Sequence, residues 1–195
     1  MDTKQYAVIG HPIGHSLSPF IHSELFKLDG IEATYVALDV QDLSADFDTK
    51  LKVLDGYNVT IPYKQDIISK LHKISEKAKL SNSVNTVKNG EITEGYTTDG
   101  FGFVSAVSAK CNGTIPKDIL IFGCGGAARA ICFECLLNGC SISFAVRKDD
   151  LDICNELALE IKEKLDINCD VYTTDEIPED KHFSLLVNAT PVGMY

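Results

Sequence analysis

Asn58, Thr60 and Lys64 carry the first chemistry legible in this chain. They lie in the run Gly56-Tyr57-Asn58-Val59-Thr60-Ile61-Pro62-Tyr63-Lys64. The apolar positions predict a short strand over 57–61. Pro62 lacks a backbone donor and biases Ile61 toward an extended conformation, so the strand ends there. An amide, a hydroxyl and an ammonium then stand at or just past a strand end, where open α/β sheets gather the groups that hold ligands. A lysine so placed can stabilise negative charge growing on an oxygen and deliver a proton to it. A single lysine after a turn is ordinarily a solvated surface group. The functional reading therefore depends on two further polar segments.

The first of these is Gly10-His11-Pro12-Ile13-Gly14-His15-Ser16-Leu17-Ser18-Pro19. Pro19 suits the first position of a helix and Ser18 its N-cap. Ser16 and Ser18 would present hydroxyls at a helix N-terminus, whose partial positive charge favours a carboxylate. The second is Ile119-Leu120-Ile121-Phe122-Gly123-Cys124-Gly125-Gly126-Ala127-Ala128-Arg129-Ala130, a strand, a glycine turn and a helix start. Gly123 permits the tight turn, Gly125 and Gly126 let the backbone approach a pyrophosphate, and small Ala127 and Ala130 let the helix lie close to the sheet. Ala128 takes the place of the third glycine of the dinucleotide fingerprint. An NAD site places an acidic residue about 20 residues further on. Here Arg147 and Lys148 stand at the end of the next strand, a cationic pair suited to the additional phosphate of NADP.

Hydrophobic periodicity supplies the elements that must position these groups. Strands are expected over 5–10, 34–38 and 57–61, and helices over 19–28, 42–54 and 65–80. Segments 84–88 and 91–96 alternate around Asn89-Gly90, a two-residue hairpin signal. A helix over 98–110 precedes the loop Cys111-Asn112-Gly113-Thr114-Ile115-Pro116, which is the expected domain boundary. Strands over 119–122, 142–146, 170–172 and 185–188 then alternate with helices over 127–137 and 151–165, the pattern of a doubly wound parallel sheet. The fold class is α/β in both halves.

With 195 residues, 45% hydrophobic and 24% charged, the chain has the composition of a protein that buries a core in one or two domains. Its net charge of −10 argues against nucleic acid or an anionic membrane as a main partner, but leaves room for an anionic small molecule. No apolar run approaches the ~20 residues of a membrane span, and the first residues lack a signal-peptide pattern. The seven cysteines show no disulfide spacing. Cys132 and Cys135 form a C-x-x-C inside an expected helix with no second ligand pair, so they read as reduced thiols of a cytoplasmic protein and no metal site is expected.

Taken in order, Ser16-Leu17-Ser18-Pro19, Asn58-Val59-Thr60-Ile61-Pro62-Tyr63-Lys64, Val84-Asn85-Thr86-Val87, Thr98-Asp99 and the glycine loop from Gly123 resemble the shikimate dehydrogenase family. The likeness runs to the end of the chain, where Asn188-Ala189-Thr190-Pro191-Val192-Gly193-Met194 looks like the family's loop beside the nicotinamide. The resemblance implies a substrate-binding domain (1–110), an NADP-binding domain of the doubly wound type (111–195) and a cleft between them. It implies the reversible NADPH-dependent reduction of 3-dehydroshikimate to shikimate. Ser16 and Ser18 would hold the substrate carboxylate, Asn58, Thr60, Asn85 and Asp99 its hydroxyls, and Lys64 with Asp99 would form the catalytic pair. Gly123, Gly125, Gly126, Ala127, Arg147, Lys148, Asn188 and Thr190 would hold the cofactor. A homodimer is compatible with it.

Several positions depart from the family pattern. Thr97 stands where asparagine is usual before Thr98-Asp99, and Asn82-Ser83 where Gly-Ala is common. Val146 and Lys148 flank Arg147 where Asn and Thr are frequent, which touches the cofactor reading most. A complete dinucleotide domain carries six strands, whereas residues 118–195 offer four, so a C-terminally truncated chain is expected. Within the same class, a quinate- or NAD-accepting dehydrogenase is the nearest alternative. From another class, a non-catalytic shikimate- or quinate-binding regulator would reuse the fold without needing a proton donor; the presence of both Lys64 and Asp99 weighs against it.

Overall fold

The computed structural model describes residues 3–193. The chain divides into two compact units, Met1–Thr97 and Thr98–Tyr195.

The first unit is built on a six-stranded sheet in the order β2-β1-β3-β5-β6-β4. Its strands are β1 (Lys4–Gly10), β2 (Ala33–Asp39), β3 (Gly56–Val59), β4 (Lys73–Ile74), β5 (Thr86–Lys88) and β6 (Glu94–Tyr96). β1 runs parallel to both β2 and β3, and β5 turns antiparallel to β3. In β1, Ala7 and Ile9 point into the main core with Val40, Phe47, Leu51 and Val59, while Val8 faces a smaller cluster with Ile13 and Tyr35. Both faces of β1 are thus buried, as the parallel centre of a covered sheet requires. Helix α1 (Ser18–Asp29) ends at Gly30, whose φ of 64° supplies the left-handed cap.

Two expected helices are broken. The segment 42–54 starts as α2 (Leu43–Asp46), capped by the Asp42 carboxylate, which accepts from Ser44 N and Ala45 N. It continues as one wide π turn (Phe47–Leu51), keeping Phe47 and Leu51 both buried. The segment 65–80 is a 3₁₀ turn (Asp66–Lys70), the short strand β4 and then α3 (Glu76–Ser81). His72 N and Lys73 N both donate to Thr93 O, so this backbone joins the sheet instead of continuing a helix. Ser75 caps the new helix by accepting from Ala78 N. The hairpin is present, but its ladder closes at Lys88 and Glu94, leaving a five-residue connection over 89–93. Neither Asn89 nor Gly90 has the positive φ of a type I′ turn. Asn89 Nδ2 instead donates to Leu51 O at 2.7 Å and Leu54 O at 2.8 Å, tying the hairpin to the end of the π turn.

The second unit opens with α4 (Asp99–Lys110). It continues with β7 (Asp118–Phe122), α5 (Gly126–Leu137), β8 (Ser141–Val146), α6 (Leu151–Leu165), β9 (Asp170–Thr173) and β10 (Leu185–Asn188). The four strands form one parallel sheet in the order β10-β7-β8-β9. Ile119, Leu120 and Ile121 are all buried, the continuous apolar run of a strand covered on both faces. The unit begins at Thr98, upstream of the boundary expected at the 111–116 loop. The reason is α4, which packs on α5: a Cβ at Gly100 would run into Ala130 O and the Glu134 side chain, so glycine allows the helices their close approach. Among the described residues no helix is long and apolar enough to cross a membrane.

Candidate functional site

One edge of the first unit collects the residues singled out above in that unit. β1 and β3 are parallel, so the loops that leave them emerge on the same side, and the start of β5 returns there. The segment after β3 is fastened at every step. Thr60 N donates to Ile9 O at 2.9 Å, and His11 N to Ile61 O at 3.0 Å. The buried Tyr63 donates its hydroxyl to Val40 O at 2.7 Å, and Val84 N donates to Lys64 O at 2.8 Å. Gly10 makes this crossing feasible, since a Cβ there would lie 2.6 Å from Thr60 Cγ2 and 2.7 Å from Ile61 O. The His11–Pro12 and Ile61–Pro62 peptides are cis. Lys64 is half-buried, and its backbone is anchored between buried Tyr63 and buried Val84.

Ser16 and Ser18 are half-buried in the loop between β1 and α1. The helix starts one residue earlier than expected: Leu17 is the N-cap residue and Ser18 the first helical one. Ser16 Oγ accepts weakly from Ser18 N at 3.3 Å, and no side chain caps the helix. Ser18 is therefore not the cap, which removes the structural explanation for its hydroxyl.

Asn58 stands at the centre of a network that the sequence did not disclose. The Tyr35 hydroxyl donates to Asn58 Oδ1 at 2.5 Å. Asn58 Nδ2 donates to Asn85 O at 3.2 Å and to Thr86 Oγ1 at 3.1 Å, and Thr86 Oγ1 donates to Asn85 Oδ1 at 3.0 Å. The amide cannot be reversed, because Asn85 O only accepts and so must face the amide nitrogen. Tyr35 is itself held by stacking on His22, with ring centroids 4.2 Å apart and 6° between planes. Burial raises the Tyr35 phenol and lowers the His22 imidazole, which keeps both neutral. Tyr35 and Thr86 are the contributors missed from sequence. Tyr35 belongs to the inward-pointing set of β2, but a tyrosine on such a strand reads as core until its hydroxyl partner is seen. At the end of β6, Thr97 Oγ1 is buried and has no hydrogen-bond partner among the described residues.

Removing the Tyr35 hydroxyl tests whether Asn58 must be held. Tyr35→Phe should raise KM for the ligand of this edge by roughly 2- to 12-fold, the equivalent of about 0.5–1.5 kcal/mol for one hydrogen bond. Its kcat should stay within about twofold, and its urea midpoint should fall modestly, since the ring and its stacking remain but Asn58 Oδ1 loses an internal donor. A fall in kcat larger than the rise in KM would show that Asn58 is not positioned through Tyr35.

In the second unit, Asp99 is the first residue of α4 and half-buried. Gly123 follows β7 with φ 94°, a conformation that favours glycine. A Cβ there would sit 3.0 Å from Thr190 Cγ2, so the loop after β10 lies directly against the glycine turn. Gly125 is the N-cap of α5 and brings no side-chain acceptor to the first turn; Gly126 and Ala127 are the first two helical residues. This arrangement fits the pyrophosphate of a dinucleotide: nothing lies within 4 Å of a Cβ at Gly125, and a helix N-terminus faces the space. Arg147 and Lys148 follow β8 and are exposed, and Arg147 Nε is paired with Asp150 Oδ2 at 2.8 Å. Asn188 Oδ1 accepts from Thr190 N and Thr190 Oγ1, and Asn188 Nδ2 donates to Val192 O. These two side chains shape their own loop, which lies against Gly123. Met194 lies outside the described residues. Among the described residues no cluster of metal-ligating side chains occurs.

Residues 8–87 match the family model described as the shikimate dehydrogenase substrate binding domain. Over 99% of its length the chain is 39% identical to the shikimate dehydrogenase (NADP(+)) of Methanococcus maripaludis, of which it covers 70%. The chain belongs to the shikimate dehydrogenase family. A crystal structure of a shikimate dehydrogenase in complex with NADP+ superposes with a TM-score of 0.89 at 37% identity, covering 99% of this chain and 68% of that one. The Thermus thermophilus enzyme, solved with NADP(H) and shikimate, gives 0.79 at 30% identity, over 98% of this chain and 70% of that one. The family resemblance expected from the five motifs is thereby established, as is the two-part α/β architecture.

Proposed function

We infer that the chain is an NADP-dependent oxidoreductase acting on a CH–OH group, the shikimate dehydrogenase that reversibly reduces 3-dehydroshikimate to shikimate on the chorismate route to aromatic amino acids. The observation that carries this reading is the 39% identity, over nearly the whole chain, to a relative named for that reaction and cofactor. NADPH, when bound, supplies the hydride. Hydride arrival at a ketone carbon leaves negative charge on its oxygen, which needs a proton. We assign that donor to Lys64, held at its backbone by Val84, with Asp99 as the second catalytic group. Ser16 and Ser18 are assigned to the substrate carboxylate at the start of α1, and Asn58, Thr60 and Asn85 to its hydroxyls. Gly123, Gly125, Gly126 and Ala127 take the pyrophosphate, and Arg147 and Lys148 the additional phosphate of NADP. Asn188 and Thr190 form the loop that meets the glycine turn. All described cysteines are unpaired, which supports a reducing, cytoplasmic setting. The homodimer is supported by the family resemblance alone.

Turnover measured with each combination of NADP+ or NAD+ and shikimate or quinate tests the reading. The NADP+–shikimate pair should give the highest kcat/KM. A preference for quinate or for NAD+ would move the chain to the neighbouring dehydrogenase. Tight shikimate binding without turnover would make it a binding protein.

A further inference from the structure

Helix α1 rests on the first unit through few side chains. None of its 12 residues is buried, and the half-buried ones are Ser18, Pro19, His22, Ser23 and Phe26. That spacing, i, i+1, i+4, i+5 and i+8, is one stripe along a helix. Phe20, Ile21, Leu25 and Leu28 lie off the stripe and are exposed. His22 and Phe26 are the two aromatic rings on it, and both reach Tyr35. His22 lies flat on the Tyr35 ring at 4.2 Å and 6°, whereas Phe26 meets it tilted at 6.5 Å. Phe26 also meets Tyr6 at 5.7 Å, and its carbonyl accepts from Ile31 N beyond the Gly30 cap. Phe26 therefore fastens the far end of α1, two turns from Ser18. His22 stands one turn from Ser18 on the same side of the helix, at the end that carries the hydroxyl.

Tyr35 has a second attachment. β1 stands between β2 and β3, so the Tyr35 side chain crosses β1 to give its proton to Asn58 Oδ1. One tyrosine thus joins the two halves of the site: its ring face meets the helix that carries Ser18, and its hydroxyl holds Asn58.

We propose that His22 is a positioning residue, whose stack on Tyr35 sets how far Ser18 stands from Asn58. The proposal rests on reading Ser18 as a seat for the substrate carboxylate and Asn58 as a seat for a ring hydroxyl. A helix with no buried side chain has little apolar anchorage against a roll about its own axis. No side chain caps its N-terminus either. Two flat rings in contact oppose such a roll, because it would lift the imidazole off the phenol face and forfeit the contact. The ligand carries its carboxylate and its hydroxyl on one rigid ring, so it needs both seats at a fixed separation. Without the stack, α1 spends only part of its time at that separation, and apparent affinity falls by that fraction.

Steady-state kinetics with NADP+ and shikimate test the proposal. His22→Ala should raise KM for shikimate by roughly 2- to 12-fold, the scale of one ring pair. Its kcat and its Kd for NADP+ should stay within about twofold, since Lys64 and the glycine loop lie on other segments. His22→Phe keeps a flat face without ring nitrogens and should bring KM back to within about twofold of the parent. Should the alanine variant misfold, His22→Leu keeps bulk without the flat face and should show the same rise. In a Ser18→Ala background, His22→Ala should add less than about twofold, because no hydroxyl is left to place. An unchanged KM in His22→Ala or His22→Leu, full additivity with Ser18→Ala, or failure of His22→Phe to rescue would each overturn the proposal. The last of these would make the ring nitrogens, not the stack, the working part. An unchanged KM in Ser18→Ala alone would instead remove the carboxylate assignment, and the proposal with it.

Discussion

Replacing Lys64 by alanine should lower kcat by roughly 10²- to 10⁴-fold, the scale on which a positioned general acid–base group contributes. The expectation follows from where the residue is held. Its neighbour Tyr63 is buried and hydrogen-bonded to Val40 O, and its own carbonyl accepts from Val84 N. A lysine wanted only for surface charge would not need its backbone fixed between two core residues. The loss should appear in kcat more than in KM, because the interaction with a developing alkoxide exists only as the hydride arrives. Lys64→Arg should rescue little: its guanidinium stays protonated and cannot exchange a proton at neutral pH. Steady-state kinetics of the two variants in the NADP+–shikimate direction decide the matter. A near-normal kcat with a raised KM would make Lys64 a binding group and displace it from the mechanism.

Arg147→Ala should weaken NADP+ by about 1.5–3 kcal/mol, or roughly 10- to 150-fold, while NAD+ binding changes by less than about threefold. Arg147 projects into solvent at the end of β8, where an NAD enzyme would carry an acid. It is already engaged, however, since Asp150 accepts from its Nε at 2.8 Å. An exposed pair of this kind is worth little, so a phosphate can displace it readily. Asp150 would then lie near the incoming phosphate and oppose it. Asp150→Asn should consequently tighten NADP+ by a few-fold, and the double variant should show that the two effects are coupled. Titration of each variant with both cofactors provides the measurement. Equal losses for NADP+ and NAD+ in Arg147→Ala would mean that this arginine does not read the phosphate.

The legible parts of the fold are those where one physical signal dominates. β7, β8 and β10 are short apolar runs bounded by turns, and α6 carries Cys154, Leu157 and Ile161 on one buried stripe. Gly123-Cys124-Gly125-Gly126 between an apolar strand and small helical residues left few alternatives, and Gly123 does adopt a positive φ. The misread parts are those where long-range bonds override a local pattern. Residues 65–80 have a helical composition, but Thr93 O captures two of their backbone donors, and nothing near His72 signals that. Asn89-Gly90 reads as a tight turn until the Asn89 amide is found bonded to Leu51 and Leu54. Ser18 looks like a cap because Pro19 follows, yet the first turn begins at Ser18 itself. The unit boundary was placed at the most turn-rich loop, whereas the packing of Gly100 on Ala130 assigns α4 to the second unit. At the candidate site, polar residues at strand ends could be found by type. The supporting Tyr35 could not, because its role depends on a partner 23 positions away.

The bonding of Asn58 also limits what this residue can say to a ligand. Both amide hydrogens are already given, to Asn85 O and Thr86 Oγ1, and one lone pair of Oδ1 receives the Tyr35 proton. What remains is a single acceptor site. A group that meets Asn58 must therefore bring a hydrogen of its own, which an alcohol can do and a ketone cannot. If Asn58 meets the substrate as proposed, it acts as a sensor of oxidation state. It suits a hydroxyl that survives the reaction unchanged, and would turn away a ring whose carbonyl had been placed in that position.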